Sequence, residues 1–219
     1  MSIAYVQSNS VGFAGRGSRS LTYLTNTTLG NFLIASMSGG GSSCSDTAGN
    51  TWVATGTGLW YCSRCVGGPT TVTISGSEGV QAMTVGEFSG VNAYDTGSLI
   101  SGAGPDAIWK SPPLTTSYIS ELCIAVVSNG YGNLGIDSPF TTLGSGENYF
   151  RVGYYIAPTF QTGLICTGSN GNGNGNNLWG CSLDGFYQLG VTGITVLDSI
   201  TGAPFVLSIV NGAVDVTPS

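Results

Sequence analysis

The sequence contains no histidine and little charge: five basic and eleven acidic residues among 219, with charged residues 7% of the chain. Without histidine, Ser-His and Cys-His nucleophile systems are excluded, and with them the common acyl-transfer machineries. The few cations, Arg16, Arg19, Arg64, Lys110 and Arg151, form no basic run that would neutralise phosphates. Nucleic acid is therefore not an expected partner, and anionic membranes are disfavoured for the same reason. No apolar run reaches the roughly 18 residues of a membrane span. The opening MSIAYVQSNS lacks the basic and apolar regions of a secretory leader, so membrane insertion and Sec export are not expected. Nowhere does an apolar 3.6-residue period persist over three turns, so no long amphipathic helix is predicted.

What the chain has in abundance is glycine, 36 residues, with much Ser, Thr and Asn, and 41% hydrophobic residues. That composition predicts an apolar interior under a neutral polar surface, and the length suffices for one sizeable core. Apolar runs and alternations separated by Gly, Pro, Asn and Ser clusters predict an all-β fold, an antiparallel β-sandwich of jelly-roll type with about ten strands. The expected domain spans residues 1–189, and 190–219 form an apolar C-terminal arm or extra hairpin.

The clearest pattern runs from Cys44 to Val91, where TWVATG, LWYCSRC, TTVTIS and QAMTVGEF read as a four-strand meander joined by turns at SDTAGN and VGGP. IAYVQSN is expected as an edge strand before a Gly-rich loop, VGFAGRGS. NFLIASMS is apolar enough to be buried on both sides or nearly so, and ELCIAVVSN reads as the best core strand of the second half. The stretch 92–120, with Pro112 and Pro113, is expected to be a long connection holding one short strand. NGYGNLGIDSPFTTLGSGE reads as a surface loop, NYFRVGYYIAP and TFQTGLICTGS as strands, and LWGCSLDGFYQL as the strand that closes the sandwich. Between these last two strands GSNGNGNGNN is low in complexity; it lacks the lysine and the strand-to-helix setting of a phosphate loop.

Six cysteines stand at 44, 62, 65, 123, 166 and 181. Cys62 and Cys65 have CxxC spacing, but no histidine or second CxxC completes a zinc site. If both lie on one strand they face opposite sides and do not meet. Cys166 and Cys181 flank the Gly/Asn loop and are a candidate disulfide across a hairpin, whereas Cys123 reads as a buried thiol. No metal or other cofactor is expected. Calcium on Asp46 and Asn50 is weighed against an Asx-turn in which Asp46 binds its own loop backbone, and the turn is favoured. Glu78, Glu87 and Glu121 are expected as solvated or turn-bonding carboxylates rather than a glycosidase pair, and no catalytic residue is assigned.

The runs SDTAGNTW, LWYCSRCVGGPTTVTIS and QAMTVGEFSGV resemble a widespread bacterial and phage β-sandwich surface module. Its pattern is a D-S-x-G-N-T turn, then A-G-G-x-N-T-V-T, then a strand ending E-Y-S-G. The matching positions are Asp46, Gly49, Asn50 and Thr51, then Gly67, Gly68, Thr71, Val72 and Thr73, then Glu87, Phe88, Ser89 and Gly90. The likeness extends more loosely over residues 1–188. It implies a concanavalin-type or jelly-roll sandwich of the kind found in surface proteins, adhesins and virion components, with no catalytic signature. Cys44, Cys62 and Cys65 depart from small or polar positions of the pattern, and the tail extends past it, which fits a free-standing assembling protein.

The expected function is therefore that of a non-enzymatic structural protein of a virion or surface assembly: a phage capsid decoration, head-fibre or tail-associated protein. It would pair with itself as a homo-oligomer and with another virion or surface protein. Such a protein would be made in the host cytoplasm and reside in the virion. The candidate assembly contacts are Ile194, Val196, Leu197, Phe205, Val206, Leu207, Ile209 and Val210. The alternative is a carbohydrate-binding module or adhesin, extracellular or on the cell surface, stacking glycan on Trp52, Trp60, Trp109 and Trp179.

Overall fold

The computed structural model describes residues 2–13, 17–76, 81–104, 108–129, 132–144, 148–170, 177–188, 194–197, 204–210 and 213–218. At 81, 101–104, 177–179 and in the last three of those segments, the description is of backbone alone. The chain divides into two compact units, Met1–Gln188 and Leu189–Ser219. Among the described residues there is no helix.

The strands follow in chain order. They are β1 (Ala4–Phe13), β2 (Arg19–Thr22), β3 (Phe32–Met37), β4 (Ser43–Asp46), β5 (Val53–Ala54), β6 (Leu59–Cys62), β7 (Thr71–Ser75), β8 (Gln81–Ser89) and β9 (Ala93–Gly104). Next come β10 (Ile108–Lys110), β11 (Glu121–Asn129), β12 (Thr141–Thr142), β13 (Phe150–Ala157), β14 (Thr167–Ser169) and β15 (Asn177–Tyr187). The second unit holds β16 (Ile194–Leu197), β17 (Pro204–Val210) and β18 (Ala213–Pro218), an antiparallel sheet in which β17 lies in the middle. Every pairing between strands is antiparallel.

The first unit is a sandwich of two five-stranded sheets, β1-β8-β3-β6-β5 and β12-β13-β11-β15-β9, each carrying a smaller sheet on its outer side. Phe32, Ile34 and Phe88 of the first large sheet meet Leu122, Ile124, Val152 and Phe186 of the second in the central core. On the other face of the first sheet, Leu33, Ala35, Met83 and Val85 pack against Leu21, Val72 and Ile74 from β2 and β7. On the outer face of the second, Cys123, Ala125, Val127 and Leu183 pack against Trp109, Leu114 and Cys166. β3 is buried at all six positions and β11 at its first seven. This is why FLIASM and ELCIAVV read as unbroken apolar runs: alternate side chains enter different cores and no face meets water.

Several sequence expectations change. The stretch from Cys44 is not a meander: β5 and β6 form a hairpin, but β7 joins β2 and β4 while β8 inserts between β1 and β3. The chain thus passes from one layer to another, and alternation within a strand carries no information about which layer it enters. LWYCSRC ends as a strand at Cys62; the chain bends at Ser63 and Arg64, and Cys65 returns to the same core as Cys62. Residues 92–120 hold β9, twelve residues long and half-exposed along its described side chains, because an edge strand needs no strong alternation. The supposed surface loop after β11 buries Leu134, Phe140 and Leu143 as a cover for both cores of the second sheet. TFQTGLICTGS contributes only the three residues of β14 and a bridge at Leu164, and the loop VGFAGRGS begins after β1 has run on to Phe13. Fifteen strands in the first unit exceed the expected ten mainly through pieces of two to four residues.

Phe32 is fully buried and its ring lies 4.9 Å from that of Phe186 and 5.7 Å from that of Tyr61. Phe32→Ala should cost about 3–5 kcal/mol, as for other large aromatic truncations in packed cores. Leu24→Ala, at a site 68% exposed, should be close to neutral. Urea denaturation of the two variants checks this, and equal midpoints would show that the central core does not hold the sandwich.

Candidate functional site

The polar side chains of the first unit gather at four places, each built around a carboxylate. Asp46 ends β4 and holds the following turn. Its Oδ1 accepts from Ala48 N at 2.9 Å and Asn50 N at 3.1 Å, and its Oδ2 from Asn50 Nδ2 at 2.7 Å and Trp52 Nε1 at 2.8 Å. Asn50 then accepts from Val66 N at 2.8 Å, tying this turn to the next. Four donors surround one carboxylate, so Asp46 has the partners of an Asx-turn rather than an open face for calcium. Among the described residues no group of three or more His, Cys, Asp and Glu is placed to hold a metal ion.

Glu87 sits on β8 and is fully buried. Gln7 Nε2 of β1 donates to it at 2.6 Å, Asn31 Nδ2 at 2.7 Å and Thr28 N at 2.8 Å. One carboxylate thereby fastens the edge strand and the loop entering β3 to a central strand. Two glycines let this end of the sandwich close. A Cβ at Gly67 (φ +76°) would lie 2.8 Å from Leu29 N, and one at Gly90 (φ +76°) 2.6 Å from Ser2 O.

Asp184 of β15 is also fully buried and faces the opposite sheet, where Thr57 Oγ1 donates to its two oxygens at 2.9 and 2.8 Å. Tyr94 adds a longer bond at 3.4 Å. Burial pushes the Asp184 carboxyl up to about 6, against the hydrogen bonds from Thr57 and Tyr94 that lower it. Burial also lifts the Tyr94 hydroxyl to about 12, with the Asp184 charge adding to it.

The fourth carboxylate, Glu121, opens β11. Tyr118 N donates to its Oε1 at 2.6 Å, and a Cβ at Gly185 would lie 2.9 Å from its Oε2. Asp95 is the extra residue of a bulge in β9, where the pairing passes from Gly185↔Thr96 to Phe186↔Tyr94. The bulge turns Asp95 toward Glu121, whose carboxyl is pushed up to about 7, first by burial and then by Asp95, against the Tyr118 amide bond. Tyr118 stacks on Tyr187 above the pair, ring centroids 3.8 Å apart and 11° from parallel. The expectation of a solvated or merely turn-bonding Glu121 is corrected: it is fully buried. Glu78 lies outside the described residues.

The tryptophans do not form one face. Trp109 is fully buried with its Nε1 donating to Gly135 O at 3.0 Å, which removes it from the stacking set. Trp52 and Trp60 are half-buried against the outer core of the first sheet, Trp52 with its ring nitrogen taken by Asp46. The side chain of Trp179 is outside the description, as are those of Ile194, Val196, Leu197, Phe205, Val206, Leu207, Ile209 and Val210. All six cysteines are free, including Cys166 and Cys181, the candidate pair, which are both buried in the outer core of the second sheet. Burial pushes the thiols of Cys44, Cys123 and Cys166 up to about 12, so these are inert packing groups rather than nucleophiles.

A cavity of about 100 Å³ opens between the large sheets, lined among others by Met37, Thr57, Leu99, Val126, Phe150 and Ser182. It is well below the roughly 300–1,000 Å³ of small-molecule sites. Among the described residues no helix is long and apolar enough to cross a membrane. No family model matches the chain, and a search of curated proteins finds no match.

Asp184 and Glu121 both hold a proton in the fold at pH values where they are ionised in the unfolded chain, between about 4 and 6 and between about 4.5 and 7 respectively. The stability they lend is present below the unfolded value and is lost as pH rises through the folded one, by about 3 kcal/mol for a two-unit displacement. Calorimetry should give a higher Tm at pH 5 than at pH 8, and Asp184→Asn and Glu121→Gln should each flatten the profile; a Tm that rises toward pH 8 would refute the assignment. Glu87→Ala leaves three donors unpaired and should cost about 3 kcal/mol or more by urea denaturation.

Proposed function

We propose that the protein is a non-enzymatic structural component of a virion or surface assembly, acting through contacts between subunits. The observation that carries this reading is the apolar surface at one end of the sandwich. Leu24, Leu29 and Val66, at 68%, 75% and 53% exposure, stand on the loops around the start of β3 and the end of β6. Tyr118, Ile119 and Phe160, at 41%, 64% and 60%, stand on loops before β11 and after β13. β8 and β9 are joined by three residues at this end, and Phe32 packs on Phe186 just inside it, so both sets share it.

A chain with 7% charged residues that leaves such side chains in water gains by covering them. At about 25 cal/mol per Å² of apolar surface the gain reaches several kcal/mol per subunit before ordering costs. Chemistry has little to draw on by comparison: Asp46 and Glu87 are saturated by backbone and amide donors, and Asp184 and Glu121 are buried within the strands. The carbohydrate-binding alternative has weaker support, because Trp109 is enclosed and Trp52 and Trp60 pack on a core.

Mass photometry and light scattering of the full chain test this. A discrete multi-subunit mass at micromolar concentration is expected. Removal of residues 190–219 should leave the β-sheet circular dichroism spectrum and lower the mass. A strictly monomeric chain, above all one that retains glycans on an array, would overturn the proposal in favour of the binding module.

A further inference from the structure

An open sheet edge offers unpaired backbone N–H and C=O groups to any other strand, and folded chains blunt such edges by shortening, charging or covering them. Three of the four edges of the large sheets are treated in this way. β1 is strapped by the segment after β2: Asn9 Nδ2 donates to Thr22 O at 2.9 Å, Thr25 N to Gln7 Oε1 at 2.9 Å and Gln7 Nε2 to Thr25 O at 3.2 Å. β5 and β12 are two residues long. β9 differs on every count: it is twelve residues long, ends its sheet, and pairs among the described residues with β15 alone. It contains no proline, and after Asp95, which accepts from Ser117 N at 3.0 Å, it carries no charge through Gly104. Leu99 and Ile100, 58% and 43% exposed, place apolar surface on both faces beside the open edge.

We infer that residues 96–104 of β9 form the site where a second copy of this chain adds its own β9, antiparallel about a two-fold axis, so that two five-stranded sheets become one of ten. The inference rests on the assembly reading above and names its interface. A strand paired with itself antiparallel is self-complementary, as a two-fold interface requires. The uncharged edge suits an identical copy: no like charges meet, and a charged partner strand would find no counter-charge here. Centred on Ile100, which faces its own copy, the pairing places Thr96 opposite the second copy's Gly104 and keeps the two Asp95 carboxylates at opposite ends.

The test is L99K/I100K in the full chain, with Thr141→Lys on the opposite edge strand as the control. L99K/I100K should lower the mass of the assembly at least twofold with an unchanged far-ultraviolet circular dichroism spectrum, and the control should keep the wild-type mass. A double variant that keeps the wild-type mass overturns the β9 interface while leaving the assembly reading intact; a monomeric wild type removes both. Should the double variant fail to fold, hydrogen exchange on the wild type decides. Amides of 96–104 that point away from β15 should be protected at high protein concentration and exchange on dilution, and exchange independent of concentration would overturn the inference.

Discussion

The structure depends on one constraint: the central strands of both large sheets, β3 and β11, are buried on both faces. A five-stranded sheet with one wet face needs a single partner, but β3 and β11 carry apolar side chains at consecutive positions and need two. The small outer sheets β2-β7-β4 and β10-β14 are the consequence. They are made of short strands because their task is to cover Leu33, Ala35, Met83 and Val85 on one side and Cys123, Ala125 and Val127 on the other, not to build a further core. Cysteine suits these positions for its size and apolar character, and the free state of all six follows from that use.

Layering creates a second demand, since loops that cross between layers bring backbone amides into dry surroundings. Each must find a partner, and in so charge-poor a chain a single carboxylate often serves several of them. Asp46 satisfies two amides and two side chains, and Glu87 one amide and two side chains from different parts of the sequence. At buried Asp184 and Glu121 burial outweighs the donors present, and it pushes their carboxyls up to about 6 and about 7.

How much of this was legible in the sequence follows from the range of each interaction. The all-β sandwich, the doubly buried NFLIASMS, the core strand ELCIAVVSN, the edge position of the first strand and the Asp46 turn are local properties, carried by alternation, apolar runs and turn residues within a few positions. Glu87 was read as bonded to a turn, and its Thr28 amide bond has that form, but the reach to Gln7 and Asn31 spans 80 and 56 positions and leaves no local mark. The meander failed because sequence neighbours β6, β7 and β8 enter different sheets. The burial of Glu121 and the Asp95 bulge escaped because both arise where β9, β11 and β15 meet, strands whose pairing joins residues far apart in the chain.

The low charge that opened the sequence reading joins these features. In most soluble proteins, surface Lys and Glu keep sheet edges and apolar side chains from meeting their counterparts on other molecules. With five cations in 219 residues, that general repulsion is weak here, and the chain relies on geometry at each edge: a strap over β1, brevity at β5 and β12. An edge without such a device, combined with apolar loops at one end, is costly for a protein that remains alone in solution. It costs nothing to one whose edges and loops are covered by other subunits. Under the assembly proposed above, the charge-poor surface and the uneven protection of edges would share one physical explanation: a surface fitted to contact rather than to solvation.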